Sequence, residues 1–201
     1  MAEGFITRRG TPPPQFFLSF DGVDDFVSIN NNMSGSLGEL EITFVSNENH
    51  TGTSNAAFLT FDISNGGIII GEATSNFSNE TVSFFTPSGN NFYDAGNLDA
   101  ATKYNIKLTW NGSQYVLSVN GVNVNTLEHN SNLRPLSDIQ GLGKRANDTF
   151  YFNGQISFFK LTDTNNNVAL EYLFDEGSGT TLNDSAGNND GTIFGATWGE
   201  K

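Results

Sequence analysis

Hydrophobic and polar residues alternate along much of this chain, most clearly between Lys103 and Thr126. Tyr104, Ile106, Leu108 and Trp110 fall on one face of that segment, and Asn105, Lys107 and Thr109 on the other. A period of two is the mark of a half-buried strand. Asn111-Gly112-Ser113 then turns the chain, Tyr115, Leu117 and Val119 resume the pattern, and Asn120-Gly121 turns it again before Val122 and Val124. Asn-Gly favours a type I′ hairpin because both residues tolerate positive φ. The segment therefore predicts a three-stranded meander. Shorter runs predict strands at 40–45, 57–63, 68–72, 81–85, 149–152, 155–161, 169–174 and 192–198. Asn153-Gly154 is expected to join two of these, and Ile68-Ile69-Ile70 reads as a strand covered on both faces. Many short strands punctuated by Gly and Asn predict a β-sandwich. No repeat of fixed period and no second domain boundary interrupts it.

Length supports that reading, since 201 residues suit one large β domain with a core of its own. Eighteen Phe residues are available to fill the core. The net charge of −13 changes the list of partners. An acidic surface repels phosphate backbones, so nucleic acid is not expected as a ligand, and it attracts cations while keeping the chain soluble. With no cysteine there is neither a disulfide framework nor a thiolate metal site. No apolar run approaches the ~20 residues that span a bilayer, so membrane insertion is not expected. The opening residues lack the apolar core of a signal peptide.

Residues 1–15 differ from the rest. Phe5, the adjacent Arg8 and Arg9, and Pro12, Pro13 and Pro14 predict an extended arm that leaves the sandwich, because consecutive prolines stiffen the chain into polyproline II. These six residues are the expected anchor to a partner.

The two ends of the remaining chain carry the most specific patterns. Phe17-Leu-Ser-Phe-Asp-Gly-Val-Asp-Asp-Phe-Val-Ser-Ile29 lies near the start. Tyr172-Leu-Phe-Asp-Glu-Gly-Ser-Gly-Thr-Thr-Leu-Asn-Asp-Ser-Ala-Gly-Asn-Asn-Asp-Gly-Thr-Ile193 lies near the end. Together with the central meander, the Asn153-Gly154-Gln155-Ile156 passage and Thr197-Trp198, they resemble the concanavalin A-like jelly-roll family in its laminin-G/pentraxin-like branch. The resemblance runs from about Phe16 to Trp198. It implies an all-β jelly-roll sandwich of two antiparallel sheets with both ends of the domain close together.

The same end segments hold the densest acids. Calcium takes six to eight hard oxygen ligands, and Asp21, Asp24 and Asp25 share one turn, while Asp175, Glu176, Asp184 and Asp190 lie in the last loops. If the ends adjoin as the resemblance implies, these acids converge. Asp21, Asp24, Asp25, Asp184 and Asp190 are then the candidate calcium ligands. The competing reading is that they cap turns through backbone N–H groups. Asp163-Thr-Asn-Asn-Asn167 starts like an EF-hand loop, but Val168 and Phe174 stand where such a loop needs Gly and Glu.

Some members of the resembled family are glucanases, which need alternating carboxylates on one strand, about 5 Å apart in retaining enzymes. Glu39-Leu40-Glu41 is the nearest match. It lacks a third carboxylate and reads as the exposed start of a strand. His50 and His129 stand alone in Asn-rich loops with no nucleophile motif nearby. No catalytic residue is expected. Sugar binding is the better fit: Asn91, Phe92, Tyr93 and Asp94 combine an aromatic face with hydroxyl-binding groups, as does Ser75-Asn-Phe-Ser-Asn79.

Two functions follow. The first is a non-enzymatic structural or adhesive protein on a bacteriophage virion surface, anchored to other virion proteins by residues 1–15, displaying its sandwich to glycans and open to homo-oligomer formation. A fold typical of extracellular surfaces without an export signal favours it. So does a weak resemblance of Gly4-Phe-Ile-Thr-Arg-Arg-Gly10 to the starts of small phage structural proteins. The alternative is an extracellular bacterial carbohydrate-binding module or adhesin domain.

Overall fold

The computed structural model describes residues 15–48, 58–59, 68–70, 82–86, 89–93, 95–128, 135–144 and 151–201. The strands run in the order β1 (Phe16–Asp21), β2 (Phe26–Ile29), β3 (Leu37–Ser46), β4 (Phe58–Leu59), β5 (Ile68–Ile70), β6 (Val82–Thr86), β7 (Gly89–Tyr93), β8 (Lys103–Trp110), β9 (Gln114–Val119) and β10 (Val122–Glu128). After these come β11 (Gly141–Leu142), β12 (Asn153–Asp163), β13 (Val168–Tyr172), β14 (Thr181–Leu182), β15 (Gly191–Phe194) and β16 (Thr197–Glu200). Among the described residues no helix is long and apolar enough to cross a membrane.

The fold is the jelly-roll sandwich, with all pairings antiparallel. One layer has the strand order β10-β9-β8-β3-β12-β1-β16, with β13 also on β12, and the facing layer has the order β11-β2-β15-β14. β4 to β7 form a further meander, and β4 approaches β11 at the edge of the second layer. Between the layers lie Leu18, Phe20, Val27, Leu40, Ile42, Phe44, Ile106, Leu117, Ile156, Phe159, Tyr172 and Ile193, all buried. Each large apolar side chain removed from water here contributes about 1.5–3 kcal/mol. Strand alternation sends Glu39, Glu41, Thr43, Asn105, Lys107 and Lys160 to the opposite, outer face of the large sheet.

The predicted meander is β8-β9-β10, and its second turn has φ of 50° at Asn120 and 79° at Gly121, as a type I′ turn requires. Two expectations need correction. Asn153-Gly154 is not a turn but the start of β12. A Cβ on Gly154 would stand 2.2 Å from the Val45 carbonyl oxygen, so this glycine lets β3 and β12 close up. The run expected at 192–198 is two strands: β15 pairs with β2 in one layer, and β16 pairs with β1 in the other. The chain changes layer at Gly195, beside the corner between β1 and β2 where the start of the domain does the same.

Candidate functional site

The acids of the two end segments form two separate groups. Asp21, Asp24 and Asp25 each place a carboxylate oxygen within 4.8 Å of the others. Asp25 accepts the Asp21 N–H at 2.8 Å, and Asp21 accepts the Val23 N–H at 2.8 Å. Asp25 is buried, and a Cβ on Gly195 would meet its Oδ1 at 1.9 Å, so its carboxylate sits in the groove between the two corners. Burial first, then the neighbouring Asp21 and Asp24, raises the Asp25 pKa above its ordinary 3.8.

Asp184 and Asp190 do not join them. Phe26 pairs with Phe194 at the Asp25 end of β2, whereas Asn30 donates to the Asp190 carbonyl beyond the other end. At 3.3 Å per residue the two groups stand roughly 15 Å apart. Asp184 Oδ1 accepts the N–H groups of Glu171 and Ala186 at 3.0 Å, and Oδ2 accepts the Asn189 backbone and side-chain N–H groups at 3.1 Å. Asp190 accepts the Asp184 N–H at 2.9 Å. This is loop-capping chemistry. It encloses the Tyr172 hydroxyl, which donates to the Asn189 carbonyl at 2.6 Å. Desolvation, then Asp184, Asp190 and Glu176, push that phenol far above its usual pKa. Among the described residues, the acids that fit a calcium ion are Asp21, Asp24 and Asp25, whose hard oxygens would supply part of the shell.

The carboxylates of β3 also depart from expectation. β3 begins at Leu37, so Glu39 and Glu41 lie inside the large sheet rather than at an exposed strand start. Lys107 reaches Glu39 at 2.8 Å and Lys160 at 3.6 Å, while Asn105 donates to Glu41 at 2.9 Å. Both acids are tied to neighbouring strands. Of the expected sugar-binding loop, Asn91, Phe92 and Tyr93 belong to β7, paired with β6, while their side chains and Asp94 lie outside the described residues. Ser75–Asn79 and the anchoring residues Phe5, Arg8, Arg9, Pro12, Pro13 and Pro14 lie outside them as well.

A concave site appears where the sequence did not direct attention. β1 and β13 share one edge of β12. β1 pairs along it from Asn153 to Ile156, and β13 from Phe159 to Thr162. Ser157 and Phe158 fall in the gap between the two strands, at a bulge in the pairing of β12 with β3. There the outer face of the large sheet opens into a pocket of about 380 Å³. Phe16, Phe158 and the exposed Leu173 give it apolar walls, and Thr43 and Ser157 give it two hydroxyls. Gln15, Lys103, Asp175 and Lys201 supply polar and charged groups.

The sequence builds this gap locally. Adjacent Phe158 and Phe159 break the alternation of β12, and one extra residue must bulge. Phe174 takes φ of 57°, which turns the chain away from β12. A left-handed conformation costs such a residue about 1–2 kcal/mol. Its ring is buried against Trp198 in a T-shaped contact at 6.4 Å, and that packing holds it in place. Strain of this kind collects beside functional sites. Asn105 donates to the Thr43 hydroxyl at 3.1 Å, leaving the Thr43 proton for a ligand, and the Ser157 hydroxyl bonds to no described residue.

No family model and no curated protein matches the chain. Among solved structures, a Bacteroides ovatus protein provisionally described as carbohydrate-binding superposes with a TM-score of 0.70 at 16% identity, over 94% of this chain. The chain spans only 60% of that protein's length. The native heptameric SAP-like pentraxin of Limulus polyphemus gives a TM-score of 0.49 at 12% identity, over 93% of this chain and 95% of the pentraxin. That second likeness is too low to carry an argument. The first establishes a lectin-like jelly-roll fold and assigns no ligand.

Proposed function

We propose that this chain is a non-catalytic glycan-binding module whose site is the pocket between β1 and β13. The observation that carries the reading is the composition of that pocket. Apolar walls from Phe16 and Phe158 suit the C–H faces of a sugar ring, and the adjacent Thr43, Ser157, Gln15 and Asp175 suit its hydroxyls. The volume falls within the range of about 300–1,000 Å³ typical of small-ligand sites. The provisional carbohydrate-binding description of the Bacteroides ovatus protein agrees with it. The tethering of Glu39 and Glu41 inside the sheet supports binding over hydrolysis.

A glycan array tests the proposal. The wild-type chain is expected to bind a defined set of oligosaccharides, and Phe158→Ala is expected to weaken that binding at least tenfold, about 1.4 kcal/mol, with the melting transition still cooperative. An array without hits above background, or hits untouched by Phe158→Ala, rejects the pocket as a glycan site.

Where the module is displayed is a separate proposal. The Arg8-Arg9 pair and Pro12 to Pro14 support attachment to a bacteriophage particle, with the sandwich facing outward. Peptides of the chain in purified virions, lost when residues 1–14 are deleted, are the expected result. Particles that lack the chain return the module to the extracellular bacterial setting.

A further inference from the structure

We infer that the pocket selects an acidic sugar, a ring bearing a carboxylate or sulfate, which Lys103 and Lys201 hold from two sides. The inference rests on the glycan-binding reading and adds the ligand's charge.

The distribution of lysines carries it. The chain has five, all of them described: Lys103, Lys107, Lys144, Lys160 and Lys201. Lys107 and Lys160 are paired with Glu39, and the Lys144 ammonium lies 3.7 Å from the centre of the Phe26 ring. Lys103 and Lys201 have no ion pair or hydrogen bond from their side chains to any described residue, and these two line the pocket. In a protein of net charge −13, two cations without partners have been brought to one concavity.

The arrangement is unfavourable until an anion arrives. Lys201 is partly desolvated, and Lys103 adds like-charge repulsion; both effects pull the Lys201 ammonium below its ordinary pKa. A carboxylate or sulfate between them forms charge-assisted hydrogen bonds in a site that already excludes part of the solvent. The geometry holding Lys201 is fixed by the sheet: its N–H donates to the Gln15 carbonyl at 2.8 Å, next to the β1–β16 pairing. Lys103 opens β8, and alternation places it on the outer face with Thr43. Asp175 at the rim accepts hydroxyl hydrogen bonds and repels additional anionic groups. With the overall negative field, this favours one acidic residue of a glycan over a densely charged polyanion.

Binding of galacturonate oligosaccharides, measured by titration calorimetry beside their methyl esters, tests the inference. The esters keep the ring and remove the charge. A sulfated galactan oligosaccharide and its desulfated form make the second arm. The wild type is expected to bind at least one acidic form about tenfold or more tightly than its neutral counterpart, and that arm names the anion. Lys103→Gln and Lys201→Gln are each expected to cost about tenfold toward the acidic form, the scale of one hydrogen bond to a charged group. The loss toward the neutral form is expected to be smaller, so each variant narrows the preference for the acidic form. Equal affinity for acidic and neutral forms, or a double variant that binds the acidic form like wild type, overturns the inference. If the neutral forms still depend on Phe158 in that case, the glycan-binding reading survives without it. If no glycan of either kind binds, the inference is overturned, and the glycan array alone decides the glycan-binding reading.

Discussion

Asp25 brings a negative charge into a corner that already holds Asp21 and Asp24. Its pKa lies above 3.8 chiefly because it is buried. Between pH 3.8 and that raised value the folded chain therefore holds the proton more tightly than the unfolded chain. Stability falls as pH rises through the window, and the penalty is complete above it. Asn at this position keeps an acceptor for the Asp21 N–H without the charge. Asp25→Asn is expected to melt above wild type at pH 7, with the difference shrinking toward pH 4, as thermal melts across that range would record. A lower melting temperature at pH 7 would mean that the charge stabilises the corner. Calcium is the species that could reverse the sign. Titrated into metal-stripped protein, it should give heat and a higher melting temperature in wild type and neither in Asp25→Asn. A flat titration leaves turn capping as the role of Asp21, Asp24 and Asp25.

At the scale of elements, β12 organises the molecule, because β3 occupies one of its edges and β1 and β13 divide the other. Gly154 sits where β3 presses closest. Gly154→Ala forces a Cβ against the Val45 carbonyl and, at 2.8 Å, against the Phe152 ring. The expected loss is about 2–3 kcal/mol, or roughly 5–10 °C in melting temperature, read by denaturant and thermal unfolding. A neutral result would show that the two strands separate easily. The strands most legible in the sequence are those whose neighbours differ in kind on their two faces, as in β8, where Tyr104, Ile106 and Leu108 meet the core. Asn153-Gly154 misled because a glycine serves a tight turn and a close strand contact equally well in one dimension. Thr192 to Trp198 read as one run because alternation continues across Gly195, although the layer changes there. The pocket left a single local trace, the Phe158-Phe159 pair that breaks the period of β12. Of its other walls, Phe16 and Thr43 lie more than a hundred positions away, and only the sheet order brings them to Phe158.

At the scale of the whole molecule, the end segments act as the closure of the sandwich. The β1–β16 pairing joins the first and last strands, which covers the edge of β1 and leaves β16 as the end strand of the large layer. The Trp198 indole N–H donates to the Gly179 carbonyl at 2.9 Å and ties the preceding loop to the closing strand. The acids that looked like one calcium site are divided by the same closure, three at the corner between layers and two in the loop around Tyr172. What the ends do bring together is Gln15, Phe16, Asp175 and Lys201, the part of the pocket that no single stretch of sequence contains.

The contact between Lys201 and Gln15 has a topological consequence. A short linker from residue 201 to residue 15 would make the described sandwich a closed ring, and a ring can be cut elsewhere. Reopened at the Asn111-Gly112-Ser113 turn between β8 and β9, such a circular permutant is expected to fold with its new termini at the end of β8 opposite Lys103. Circular dichroism and glycan affinity matching the parent would show that the pocket needs the adjacency of β1 and β16 but not the break in the chain between them. A permutant that folds and binds nothing would show that the break itself is part of the site.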